Sequence, residues 1–259
     1  MEKERITSAQ NPKIKHLMLL QQKSSERRKH GLFVVEGQRE VVHSLSVGYE
    51  MQTVFVCPEI AGSLSFPSQT MYEVSKDLYQ KIAYRGTTEG VVAVFKTKHR
   101  TLSDLQLPES PLIVVLESVE KPGNLGAILR SADASGVDAV IVCDPLTDLF
   151  NPNLIRSSVG GFFTVPTVTC TSEECIGFLK EKDIQILTAQ LQDSKLYYDI
   201  DMRRPTAIIM GTESTGLTQQ WRTAADAHIR IPMLGHLDSL NVSVSAAILM
   251  FEAVRQRSI

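Results

Sequence analysis

Four short, almost unbroken apolar runs constrain the fold of this 259-residue chain more than anything else in it: Leu112–Leu116, Ala139–Cys143, Ile184–Ala189 and Ala207–Met210. A strand with one wet face alternates polar and apolar residues. A strand without that alternation is buried on both faces, which is the pattern of a parallel sheet covered by helices. The intervals are long enough for crossover helices, and Asn124–Ala134, Ser172–Lys180 and Asn241–Arg257 carry helical patterns that supply the covering layers. Residues 112–259 are therefore expected to form a doubly wound α/β domain.

The first 97 residues repeat the theme on a smaller scale. Asn11-Pro12 marks a helix start, with Asn as the cap and Pro in the first turn, and Gly31 marks its stop. Strands are expected at Leu32–Val35, Val54–Cys57, Met71–Val74 and Gly90–Phe95, and helices at Gln38–Ser46 and from Ser75 to about Tyr84. Residues 98–111, polar and containing Pro108 and Pro111, are expected to link the two domains.

No apolar run approaches the roughly 18 residues of a spanning helix, and the Met-Glu-Lys-Glu-Arg start lacks the apolar core of a signal peptide. A cytoplasmic protein is expected. Cys57, Cys143, Cys170 and Cys175 show no paired metal-ligand spacing, so reduced structural thiols and no metal are expected. The net charge of −2 conceals an asymmetry. Residues 1–100 hold 15 Lys and Arg against 10 Asp and Glu, whereas the remainder hold 12 against 19. Lys13, Lys15, Arg27, Arg28 and Lys29 lie in the densest basic stretch and are candidate contacts to RNA phosphates; a solvated helix face is the plainer alternative.

Three polar, glycine-containing segments follow apolar strands in the second domain. In an α/β sheet such loops gather at one edge and build a common crevice. Gly123 and Gly126 lack dinucleotide-fingerprint spacing, and no Gly-Lys-Ser/Thr follows Met210, so nicotinamide and triphosphate cofactors are disfavoured. The segments read Asn124-x-Gly126-Ala-x-x-Arg130-x-Ala132, Gly211-x-Glu213-x-x-Gly216-Leu217 and Ile231-Pro-Met-x-Gly-x-x-x-Ser239-Leu-Asn241-Val-Ser. In order and spacing they resemble the three motifs of the SpoU family of RNA ribose 2′-O-methyltransferases, in the SPOUT superfamily. Ile6-Thr-Ser-x-x-Asn11-Pro-x-Ile-Lys15 and Phe33-Val-Val-Glu36-Gly37 resemble the substrate-binding domain that precedes it in many members, similar in fold to ribosomal protein L30e.

The resemblance implies an α/β-knot domain with a trefoil knot, a homodimer and S-adenosylmethionine as methyl donor. It places cofactor contacts on Gly211, Ile231 and Leu240, with the Thr188–Gln190 strand end, Thr188 and Ala189 foremost, nearby. Glu117 and Lys121 stand where relatives more often carry Asp, a departure expected to bear on substrate fit.

The chemistry agrees with those positions. Methylating a ribose hydroxyl needs the nucleophile and a sulfonium held within about 3–3.5 Å and help in removing the proton. Arg130 can grip a phosphate bidentately; a guanidinium, which keeps its proton under ordinary conditions, is a poor base. Asn124 and Asn241 are amides suited to orienting Arg130 or ribose hydroxyls. Glu213 can hold Arg130 or a ribose group, and Ser239 closes the pocket. Taken singly, Asn124 and Asn241 could be helix caps and Glu213 a turn residue. The expected activity is 2′-O-methylation of RNA, 23S ribosomal RNA foremost. The rivals are a tRNA substrate and a non-catalytic RNA-binding or ribosome-assembly factor.

Overall fold

The computed structural model describes residues 4–62, 64, 66, 70–84, 89–212 and 214–258, which fall into two compact units. One comprises the chain up to Lys98 together with Asp148–Phe163; the other comprises His99–Thr147 and Thr164 onward.

In the first unit, strands β1 (Arg5–Ile6), β2 (Leu32–Glu36), β3 (Met51–Val56), β4 (Met71–Val74) and β5 (Val91–Lys96) form a sheet in the order β1-β4-β3-β5-β2. The β5 pairings are antiparallel and the β4 pairings parallel. Asn11 caps the first helix as expected, its side chain accepting from Lys13 N at 2.9 Å. The single helix expected up to Gly31 is instead two, Pro12–Gln22 and Ser24–His30, because Lys23 is extended. That break frees backbone carbonyls, and Arg27 takes them: its Nη1 donates to Leu20 O at 2.7 Å and Gln21 O at 3.3 Å. Its Nε lies 2.6 Å from Asp148.

Arg27, expected on the RNA surface, is thus only 3% exposed and holds the fold together. The periodicity could not reveal this, since a kinked helix turns a different face inward from a straight one. Asp148–Phe163, expected within the second domain, packs with the first unit for the same ion pair and for an aromatic cluster. Phe150 lies 4.9 Å from Phe33 between ring centroids, and Phe162 and Phe163 pack around Phe33 and Tyr49.

The second unit contains β6 (Leu112–Glu117), β7 (Ala139–Cys143), β8 (Thr167–Cys170), β9 (Gln185–Ala189), β10 (Lys195–Leu196), β11 (Thr206–Met210) and β12 (Ala227–Arg230). They pair in the order β10-β12-β9-β11-β6-β7-β8, every pairing parallel. The apolar runs are buried on both faces as their composition requires: all of Leu112–Leu116 and Ala139–Cys143 is at most 2% exposed. β8, at the sheet's edge, is Thr-Val-Thr-Cys, too short and too polar to register as such a run. Helices Pro122–Ser135 and Val242–Arg257 pack on each other. Arg257 ties the C-terminal helix down through the carbonyls of Met202, Ser110, Pro111 and Arg204. Residues 98–111 are not a free linker beyond Lys98. Leu102–Asp104 forms a capped turn, and Leu105, 9% exposed, joins the core of the second unit.

At the end of β6, Glu117 is 2% exposed. Its carboxylate accepts from Thr218 N at 2.8 Å and Thr218 Oγ1 at 2.7 Å. Its role is therefore to pin the segment after β11, not to fit a substrate. Among the described residues, no helix is long and apolar enough to cross a membrane.

Replacing Arg27 by Met removes one partner of a buried pair and leaves Asp148 uncompensated. Urea unfolding is expected to show a loss of about 3–5 kcal/mol, and a loss under about 1 kcal/mol would contradict this role.

Candidate cofactor and active site

β9, β11 and β12 run side by side in the same direction, so the loops leaving their C-terminal ends converge. Between them lies a cavity of about 640 Å³. Its walls come from Ala189–Gln192 after β9, Met210–Thr212 and Ser214–Leu217 after β11, and Ile229–Ile231 with Asp238–Val242 after β12.

Gly211 makes the second wall possible. A Cβ there would overlap the backbone of Gly216 and lie 2.6 Å from Leu217 N, so only glycine lets the loop fold back this closely. The turn is closed by paired backbone hydrogen bonds between Thr212 and Gly216, 3.3 and 3.1 Å. Thr212 Oγ1 also accepts from Thr215 N at 3.0 Å. Gly216 sits at φ +68°, a left-handed conformation that side chains resist. Beyond it, Leu217 is 3% exposed and Thr218 is held by Glu117, so both ends of the turn are anchored in the core.

The third wall is irregular because Pro232 and Gly235 interrupt the chain after β12. It ends at Asn241, which caps the C-terminal helix by accepting from Ser243 N at 3.1 Å. The same side chain donates through Nδ2 to Asn124 Oδ1 at 3.2 Å. Asn124 does not cap its helix. That helix begins at Pro122, so Asn124 lies within its first turn. A smaller cavity of about 100 Å³ is lined by Val119–Lys121 and Asn124, and shares Gly211, Thr212, Ser214 and Val242 with the larger one. The amide pair therefore stands where the two hollows meet.

Of the residues singled out in the sequence, Ala189, Gly211, Ile231, Ser239, Leu240 and Asn241 line the main cavity, and Asn124 lines its neighbour. Thr188 does neither: it is 0% exposed, with Oγ1 2.6 Å from His228 Nδ1. Arg130 is exposed, lines neither cavity and has no hydrogen-bond or charge partner among the described residues. Six residues beyond Asn124, it lies about 9 Å further along the helix and about 120° around it. Glu213 lies outside the described residues.

In the first unit, Lys15, Arg28 and Lys29 are exposed. Lys13 is engaged, bonded to Glu4 at 2.8 Å and set over the Tyr72 ring at 4.2 Å.

One wall residue escaped the sequence: Arg222, in helix Gln219–Ala224, has a buried Nε with no hydrogen-bond partner among the described residues. Gln190, expected at the strand end beside the cofactor, lines the cavity with a buried Oε1 that likewise has no partner among the described residues. A buried donor or acceptor without a partner is costly and marks where a polar ligand group would be satisfied. The helix carrying Arg222 is too short to show a period, so no pattern announced it.

The SpoU rRNA Methylase family matches residues 111–251, and the MRM3-like substrate binding domain matches residues 11–93. The 23S rRNA (guanosine(2553)-2′-O)-methyltransferase RlmP of Bacillus subtilis is 30% identical over 95% of this chain and 97% of its own. Among solved structures, an RNA 2′-O ribose methyltransferase is 37% identical with a TM-score of 0.86, covering 98% of this chain and 100% of its own. The AdoMet-bound rRNA methyltransferase from Sinorhizobium meliloti is 30% identical with a TM-score of 0.87, covering 97% of each. The second unit, with its parallel sheet and cavity at the strand ends, has the α/β-knot fold of the SPOUT methyltransferases, and the chain belongs to the SpoU rRNA methylase family.

Proposed function

We propose that this chain, as a cytoplasmic homodimer, transfers the methyl group of S-adenosylmethionine to a ribose 2′-hydroxyl of ribosomal RNA. The observation that carries the proposal is the Gly211 cavity opening beside the Asn124–Asn241 amide pair. The cavity fits the cofactor in kind. Ile231, Leu240 and the Gly211 backbone offer an apolar slot with peptide groups for an adenine, and the buried Nε of Arg222 offers a charged donor for an amino-acid carboxylate. S-adenosylmethionine, when bound, supplies an electrophilic methyl on a sulfonium.

The chain's own residues orient the nucleophile. Asn241 is fixed as a helix cap and in turn fixes Asn124, so the paired amides present a rigid polar edge to a ribose. Ser239, on the cavity wall, is assigned to a ribose contact, and so is Glu213 on its motif position alone. Arg130, without a partner among the described residues, offers its guanidinium to an RNA phosphate, and because it lines neither cavity of its own chain we assign it to the site of a second copy. Val244 and Phe251, 47% and 48% exposed and two turns apart on the C-terminal helix, give that copy an apolar stripe to bury. Lys15, Arg28 and Lys29, with Lys13 in a lesser part, supply the electrostatic footing for RNA. RlmP of Bacillus subtilis, by its name a 23S rRNA 2′-O-methyltransferase, supports ribosomal RNA as the substrate.

Two variants test the division of labour. Gly211→Ala is expected to weaken cofactor binding at least 10-fold by calorimetry, because the added methyl forces the wall apart; unchanged affinity would remove Gly211 from the site. Arg130→Ala is expected to retain cofactor affinity while labelled-methyl transfer to ribosomal RNA falls about 100-fold, the scale set by misplacing a reactant by an ångström. Mixing the two variants, at a cofactor concentration too low to load Gly211→Ala, is expected to restore part of the transfer through mixed dimers. Full activity of Arg130→Ala, or no recovery in a mixture that exchanges subunits, would contradict the arrangement.

A further inference from the structure

The fold brings three of the four cysteines together although their spacing in sequence resembles no metal motif. Cys143 and Cys170 are register partners at the ends of β7 and β8, and Cys175 comes from the first turn of helix Ser172–Glu181. Their three Sγ atoms all lie within 4.8 Å of one another, with Cys143 and Cys170 3.9 Å apart. Metal–sulfur bonds of about 2.3 Å separate two ligand sulfurs by about 3.8 Å in a tetrahedral site and about 4.0 Å in a trigonal one. The cluster is therefore already close to the spacing a single ion imposes.

We propose that Cys143, Cys170 and Cys175 form a three-thiolate site for a thiophilic d10 ion, Zn2+ or Cu+. Three sulfurs and no imidazole select soft ions over Mg2+ or Ca2+. Cys143 and Cys175 are 0% exposed, in a core that includes Ile141, Val168 and Leu179. Cys170 is half-buried and gives the ion its way in.

The neighbouring carboxylates are already engaged. Asp144 accepts from Ser172 Oγ at 2.6 Å, and Glu174 closes a capping box with Thr171. They favour a cation by charge and leave any fourth position to water. Binding releases the thiol protons to solvent, so affinity rises with pH. The ion would join the edge strand β8 to β7 and to the helix behind them. A disulfide would use two of these sulfurs and leave the third idle, whereas an ion engages all three.

The test uses the full chain, reduced, stripped with chelator and kept free of oxygen. Titration with Co2+, as a probe for zinc, is expected to saturate at one equivalent and produce a thiolate-to-metal charge-transfer band. A parallel titration with Cu+ against a competing chelator distinguishes the two ions, and saturation at one equivalent by either supports the site. Cys170→Ser and Cys175→Ser are expected to lose the uptake, while Cys57→Ser, whose thiol lies in the other unit, retains it. Should the variants fail to fold, wild type alone still decides: zinc is expected to slow iodoacetamide alkylation of Cys170 at least 10-fold. No saturable uptake by wild type, equal uptake by folded Cys170→Ser, or alkylation indifferent to zinc would overturn the proposal.

Discussion

The structure of the second unit depends on one close approach of backbone to backbone, that of Gly211 to Gly216 and Leu217. Without a Cβ at Gly211 the chain leaving β11 folds straight back, and the turn becomes a wall of the cavity instead of a loop in solvent. The turn keeps that shape because both ends are tethered. Behind it is β11, buried between β6 and β9; ahead of it are Leu217 in the core and Thr218 on the buried carboxylate of Glu117. Glu117 is itself the last residue of β6, so a strand buried along its whole length directly fixes this turn of the site.

The opposite side of the cavity is built by a different device. The segment after β12 has no regular structure, and its order comes from where it ends. Asn241 stops it, starts the C-terminal helix and reaches across to Asn124. The far end of that helix is held by Arg257 on four carbonyls, and its middle packs on the helix that carries Asn124. Cavity and amide pair are thus set by the same packed helices, which is how a flexible-looking loop can present polar groups in a fixed orientation.

Much of this was legible in the residues. Unbroken apolar runs fix two-faced burial whatever the context, so the parallel sheet followed from Leu112–Leu116 and its counterparts. Gly211, Ser239 and Asn241 were legible because glycine, serine and asparagine at turns and caps are local chemistry. What the sequence hid was non-local. Arg27 sits in a basic run and looks solvated until a break at Lys23 turns it onto Asp148, 121 residues away. Thr188 lies on a strand that borders the cavity, but strand parity sends its hydroxyl to His228. The aromatic residues of Asp148–Phe163 carry no mark of which core they join. Arg222 becomes visible only as a buried nitrogen with no partner on a wall that two other loops complete.

The central claim is that the hollow framed by Gly211 is where the methyl donor sits. Hydrogen exchange of the full chain with and without S-adenosylmethionine tests it directly. The account predicts new protection confined to three peptides, those covering Ala189–Gln192, Gly211–Leu217 and Ile231–Asn241, with the first unit unchanged. Protection that leaves those three peptides as they were and appears on another surface would contradict it.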